Sequence, residues 1–141
     1  MSNDDEKINN LLIEIRLLES TFNQLTARQG ILERALIETQ AAINTITGLE
    51  PANTEEILIP IGGGALIKSR PPNIEKILIN VGSNVVLEKN REQIMEIIEK
   101  RIKELEENII SILTQRNQIA QRLEADRQAL NILASRQAQR Q

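Results

Sequence analysis

The stretch IPIGGGALIKS, residues 59–69, sets three consecutive glycines, a lysine and a hydroxyl in an order that could hold a phosphate. Read from Gly62, it follows the nucleotide-loop spacing G-x-x-x-x-G-K-[ST], with Lys68 and Ser69 in place and Ile67 where the second glycine belongs. That chemistry needs backbone N–H groups wrapped around the phosphates and a helix N-terminus aimed at them immediately afterwards. Here Lys68 and Ser69 run into Arg70-Pro71-Pro72, which starts no helix of useful length. The context is strand, turn, strand. Gly62-Gly63-Gly64 is therefore expected to be a hairpin turn that requires positive φ angles, and Lys68 a charge at a strand end.

Other chemistries have less to stand on. The chain has no Cys and no His, which removes the thiolate nucleophile, the usual zinc ligands and the usual general base. Glu92, Glu96, Glu99, Glu104, Glu106, Glu107 and Glu124 lie among Lys and Arg, where pairing along a solvated helix face explains them. Serines and threonines have no base to activate them. The expectation is a protein that is not an enzyme and uses no metal and no cofactor. A net charge of −3 gives no reason to expect nucleic acid, and no apolar run approaches the roughly 18 residues of a membrane span. Absence of Cys and the polar start Met1-Ser2-Asn3-Asp4-Asp5-Glu6 fit a cytoplasmic chain.

These residues must be positioned by long helices. Phe22 is the only aromatic among 141 residues, and Ile, Leu, Ala and Val supply the apolar content alongside abundant Glu, Gln, Lys and Arg. That is the composition of helices packed on narrow seams. From Ile8 to Ile46 a seven-residue period holds: position a is Ile8, Ile15, Phe22, Gln29, Leu36 and Ile43, and position d is Leu11, Leu18, Leu25, Leu32, Thr39 and Ile46. A second series has Met95, Ile102, Ile109, Arg116, Leu123 and Leu130 at a, with Ile98, Leu105, Ile112, Ile119, Asp126 and Leu133 at d. Heptads held this long specify a coiled coil.

Gly48 is expected to cap the first helix in a left-handed conformation, with Pro51 preventing its resumption. Asn90-Arg91-Glu92-Gln93 opens the second with a capping box. Each helix would hold about 40 to 47 residues and run roughly 60–70 Å at 1.5 Å per residue. If the two fold back antiparallel, every a can face a d: Ile8 with Leu133, Leu11 with Leu130, Phe22 with Ile119, Leu36 with Leu105, Ile43 with Ile98, Ile46 with Met95. A slip by one heptad preserves the match equally well. Gln29, Arg116 and Asp126 are polar seam residues of the kind that fix register at a cost in stability.

Between the helices, residues 56–61, 65–68, 76–81 and 85–89 are short, β-branched runs separated by turn residues and a Pro71-Pro72 link, the pattern of two β-hairpins. Isolated hairpins are marginal in water and leave unpaired edges. The strand residues Ile57, Ile59, Ile61, Leu66, Ile77, Ile79, Val81, Val85 and Leu87 need more burial than one coiled coil offers. Hairpins from several subunits joining into one sheet or barrel would supply it. The fold class is thus α+β: a long antiparallel two-helix coiled coil (residues 5–47 and 90–137) with a central double hairpin (56–89) that assembles into an intersubunit β-barrel.

Coil, double hairpin and coil in this order, with EILIPIGGGALIKS and KILINVGSNVVLEKNREQIMEIIEKR, resembles the alpha-type subunits of prefoldin over nearly the whole chain. That resemblance implies a hexamer of two alpha and four beta subunits with a double β-barrel body and six coiled-coil tentacles. It further implies capture of unfolded protein clients at the tentacle tips and their transfer to a group II chaperonin without ATP. The pairing above brings Met1 and Gln141 to the same end, so the tip would comprise residues of about 5–20 and 120–137. Leu12, Ile13 and Ile132 fall off the seam there. The client-binding set is expected to be Ile8, Leu11, Leu12, Ile13, Leu130, Ile132 and Leu133, with the four residues from Ala138 frayed. The alternative is a coiled-coil tether or scaffold without chaperone activity, for which a short loop would replace the double hairpin.

Overall fold

The computed structural model describes residues 3–49 and 56–140. Helix α1 spans Asn3–Leu49, and four short strands follow: β1 Ile57–Gly62, β2 Ala65–Ser69, β3 Lys76–Asn80 and β4 Val86–Asn90. Helix α2, Arg91–Arg140, completes the chain. The molecule divides into a terminal unit, made of the chain up to Arg34 and from Glu106 onward, and a hairpin unit, Ala35–Leu105.

Within each unit the helices meet along the predicted seam. All twelve a and d positions of α1 and all twelve of α2 are buried or half-buried, the polar ones included. Two cross-helix ion pairs fix the register in the terminal unit. Arg122 Nε donates to Glu14 Oε1 at 2.6 Å, joining two g positions, and Arg127 Nη2 donates to Glu19 Oε1 at 2.9 Å, joining two e positions. Pairing of e with e and g with g is the flanking arrangement of antiparallel helices, and these partners correspond to the alignment that sets Ile8 opposite Leu133. In the hairpin unit, Ile43 and Ile46 lie in one cluster with Met95 and Ile98, as the same alignment requires.

The ends of the helices follow from local chemistry, with two departures from expectation. At the start of α2, Gln93 N–H donates to Asn90 Oδ1 at 2.8 Å and Asn90 N–H donates to Gln93 Oε1 at 3.2 Å, a reciprocal capping box. Gly48, by contrast, is not a left-handed cap: it lies inside the last turn of α1, which runs on to Leu49, and its φ is not positive. Pro51 lies outside the described residues, as do Met1 and Gln141. The C-terminal turns of α2 do not fray before Arg140, because acidic groups in the first turn of α1 hold them. Asp4 accepts ion pairs from Arg136 at 3.8 Å and Arg140 at 3.5 Å, and Gln137 donates to Asp5. Acids at a helix N-terminus and cations at a C-terminus also oppose the local helix dipoles favourably.

The strands form two separate two-stranded antiparallel sheets. Gly63 and Gly64 turn the first with φ of 59° and 80°, both positive as expected. An irregularity between Pro60 and Gly62 inserts Ile61 as an extra residue. In the second, Val85 N–H donates to the Gly82 carbonyl at 2.9 Å around Ser83 and Asn84, whose φ of 50° and 61° are left-handed without glycine. Asn80 Oδ1 accepts from Gly82 N–H at 2.8 Å and braces this turn. Val81 and Val85 thus belong to the turn rather than to strands.

The core of the hairpin unit is Ile46, Ile79, Ile94 and Ile98, with Ile94 only 1% exposed. Ile74 and Ile77 pack against it, so β3 rests on the helices, and Arg101 Nη2 donates to the Asn80 carbonyl at 2.9 Å to hold it there. Each fully buried aliphatic side chain of this kind contributes about 1.5–3 kcal/mol. Neither β1 nor β2 supplies a residue to that core.

Candidate binding surfaces at the coil terminus and the hairpins

The glycine-rich stretch is a hairpin. Lys68 is exposed on β2 opposite Leu58, and residues 70–75 that follow contain no helix, so no helix opens directly after the motif as a phosphate loop requires. Among the described residues no cluster of three or more acidic side chains could hold a metal ion.

What the hairpins offer is apolar surface. Opposite partners in an antiparallel pair share a face. In β1–β2 one face therefore carries Ile57 with Ser69 and Ile59 with Ile67, and the other carries Leu58 with Lys68 and Pro60 with Leu66. Leu66 thus lies on the opposite face from Ile59, while Ile67, which alternation alone did not select, lies beside it. Ile59, Ile61, Leu66 and Ile67 are exposed, as is Leu58. In β3–β4, Ile77, Ile79 and Leu87 share the face turned to the helices, and Leu78 and Val86 stand on the other. Ile79 is buried within its own chain, whereas Leu78, Val81, Val85, Val86 and Leu87 are exposed. Pattern reading missed Leu58, Ile67, Leu78 and Val86 because it sought one apolar face per strand. The uninterrupted runs Ile57-Leu58-Ile59 and Ile77-Leu78-Ile79 were the signal that both faces are apolar.

In the terminal unit the expected residues fall into two groups. Ile8, Leu11 and Leu130 are half-buried in the seam and Leu133 is buried. Leu12, Ile13 and Ile132 are exposed, the last two at 58% and 61%. Leu17, 65% exposed and one turn from Ile13, extends the same outer face of α1. A search for outward aliphatics at i, i+4 spacing finds it.

The polar seam residues are not alike. Arg116 Nη1 donates to Gln29 Oε1 across the seam, its guanidinium lies 4.7 Å from the Phe22 ring centroid, and Gln29 donates to Glu33 at 2.9 Å. That layer pairs its own members, leaving only Arg116 Nε buried without a hydrogen-bond partner. Asp126 is 5% exposed, and its Oδ2 is buried with no hydrogen-bond partner. Arg122 Nε stands 3.4 Å from Asp126 Oδ1 and is shared with Glu14. Loss of solvation, with the Glu14 carboxylate beside it, raises the Asp126 pKa above the usual Asp value. The hydrogen bond from Arg122 holds Glu14 below its own.

Comparison with known proteins places this architecture. The family model described as Prefoldin subunit matches residues 18–138. The prefoldin subunit alpha of Nitrosopumilus maritimus is 30% identical over 128 residues, covering 91% of this chain and 88% of the relative. Prefoldin subunit alpha 1 of Thermococcus kodakarensis is 31% identical over 105 residues, 74% of this chain and 72% of its own. Among solved structures, the cryo-EM structure of filamentous PFD from Methanocaldococcus jannaschii is similar with a TM-score of 0.48 and 20% identity, over 86% of this chain and 95% of that one. The family match takes in most of α1, both hairpins and nearly all of α2, and the chain belongs to the prefoldin family.

Proposed function

We propose that this chain is an alpha-type subunit of a cytoplasmic prefoldin hexamer, two alpha with four beta, which captures unfolded polypeptides at its coil termini. It passes them to a group II chaperonin without nucleotide hydrolysis and performs no catalysis of its own. The observation that carries the client-binding part is the exposed set Leu12, Ile13, Leu17 and Ile132 on a coil whose seam does not use them. Aliphatic surface exposed near the end of a coiled coil can bury the apolar stretches of a non-native chain at about 25 cal/mol per Å². Each contact is weak and non-directional, and several tips acting on one client supply the avidity. Assembly through the hairpins, with their exposed strand faces and unpaired edges, would bring those tips together.

The test replaces Leu12, Ile13, Leu17 and Ile132 together by Ser and mixes the variant with a beta-type subunit. The expected result is an unchanged hexamer that suppresses aggregation of a denatured client several-fold less well. A variant hexamer that suppresses aggregation like the parent overturns the tip assignment and favours a tethering role.

A further inference from the structure

One flank of the terminal unit carries exposed aliphatic side chains well beyond the tip. Leu17 and Ile31 both fall at heptad position c of α1 and Ile132 at c of α2, so all three stand on the flank where the g positions meet. They are 65%, 58% and 61% exposed. Leu17 and Ile31 are two heptads apart, about 21 Å along the helix at 1.5 Å per residue.

Beside Ile31 this flank is hollow. A groove of about 330 Å³ lies between the helices, floored by the seam residues Leu32 and Ile112 and walled by Ile31. Across from Ile31 the c position of α2 is the small Ser111, which leaves the floor open. The rim is formed by Arg28, Asn108 and Gln115, all at g. Nearer the chain termini the Glu14–Arg122 ion pair straps the same flank. At the groove, among the described residues, no ion pair or side-chain hydrogen bond joins the rim of one helix to that of the other, and Gln115 Nε2 donates to Ser111 Oγ of its own helix at 3.2 Å.

An apolar floor bordered by two carboxamides and a guanidinium suits one kind of occupant. An extended polypeptide buries its aliphatic side chains only if its own N–H and C=O groups find partners as it does so. Asn108 and Gln115 can each donate and accept, and Arg28 can donate. An amphipathic helix or a folded partner has its backbone paired internally and would leave that rim unused.

We propose that the Ile31 groove is a second client subsite, taking an extended apolar segment of the unfolded polypeptide whose neighbouring segment rests on Leu17 and Ile132. The seam stays closed throughout. This rests on the client-binding reading above and lengthens that site along one flank of the coil. At about 3.3 Å per extended residue, roughly six residues of client span the distance from Leu17 to Ile31.

The chain has no cysteine, so Asn10→Cys, Ser111→Cys and Asn117→Cys can each carry one benzophenone label. All three positions are exposed: Asn10 lies at the tip, Ser111 in the groove and Asn117 at position b on the opposite flank. The labelled full-length chain, assembled with a beta-type subunit, is irradiated in the presence of reduced, urea-unfolded lysozyme just diluted from denaturant. The expected result is client adducts at positions 10 and 111 and several-fold fewer at 117. Fluorescence anisotropy then compares two Gly/Ser peptides in which the centres of two Leu-Ile-Leu segments lie six or three residues apart. The wider spacing should bind the parent several-fold more tightly. Ile31→Asp, at an exposed position off the seam, should remove that advantage while leaving the hexamer and its helix content unchanged. Adducts at 10 without adducts at 111, or equal affinity for the two spacings, overturn the groove and leave the tip reading standing. No adduct at either position removes the client-binding reading and the groove together. Adducts from position 111 to the beta-type subunit without client would make the groove a contact between subunits, and overturn the proposal.

Discussion

Single residues in this fold bear costs that can be read from their backbone or their burial. Ser83 and Asn84 both adopt left-handed φ in the second hairpin turn, where Asn is tolerated and Ser is strained. The two-residue turn of this type prefers Asn-Gly. Ser83→Asn with Asn84→Gly should stabilise the hairpin unit by about 1 kcal/mol, seen as a higher urea midpoint at unchanged slope; a lower midpoint would contradict the turn geometry. Asp126 bears a larger cost. Its pKa is raised in the folded state, so the folded chain binds its proton more readily than the unfolded chain does, and the stability this confers below the ordinary Asp range is lost as pH rises through the raised value. Glu14 has the opposite sign: its stabilisation is present at neutral pH and disappears as pH falls through its lowered value. Between the two the terminal unit should be most stable under mildly acidic conditions. Replacing the buried, half-satisfied carboxylate by Leu should stabilise the coil by roughly 1–3 kcal/mol at neutral pH and erase the Asp126 part of the profile. Thermal unfolding across pH checks both, and a parent profile that only falls on acidification would sink the assignment.

At the scale of elements, the helices were legible because their determinants are local or periodic. Every residue the heptads named is buried or half-buried, and Asn90-x-x-Gln93 marked the start of α2 down to its two hydrogen bonds. Asn90→Ala removes the side-chain acceptor for the Gln93 N–H and should cost about 1 kcal/mol. Amide exchange should accelerate in the first turns of α2 and stay unchanged around Leu123; equal protection in both variants would mean that tertiary packing alone holds that end. Where the reading failed, the determinant was not local. Gly48 looks like a cap in sequence, but the hairpin unit keeps α1 helical through it, with Ala42, Ile43 and Ile46 packed beside Ile94 and Ile98. The last turn of α2 looked polar and free, and it is held by acids more than 120 residues earlier in the chain. The strands were found by composition, but which side chains share a face depends on the bulge at Ile61 and on the pairing register, and neither follows from alternation. The exposed outer aliphatics were legible only in part, since Leu17 sits in the same pattern as Ile13 and escaped notice.

For the whole molecule the decisive contrast is between Ile79 and Leu78, neighbours on β3 with opposite fates. Ile79 is 8% exposed in a core made by its own chain, whereas Leu78 is 66% exposed on the far face of the same strand. If assembly buries the outer faces, the two positions must respond to different experiments. Ile79→Ala leaves a cavity and should cost about 2–4 kcal/mol of folding stability at any protein concentration. Leu78→Asp should leave the isolated chain's helix content and melting unchanged, because that side chain touches no core, and should prevent complex formation by placing a charge where a partner's apolar surface must sit. Ile59→Asp or Ile67→Asp on the first hairpin should behave like Leu78→Asp, since β1 and β2 contribute nothing to the core of their own chain. Light scattering after gel filtration, of each variant alone and mixed with a beta-type subunit, reads the difference directly. A hexamer that forms normally with Asp at position 78 and at position 59 would mean that these faces stay in water. The exposed strands would then need another cover, and the coil termini would lose the body that is proposed to gather them onto one client.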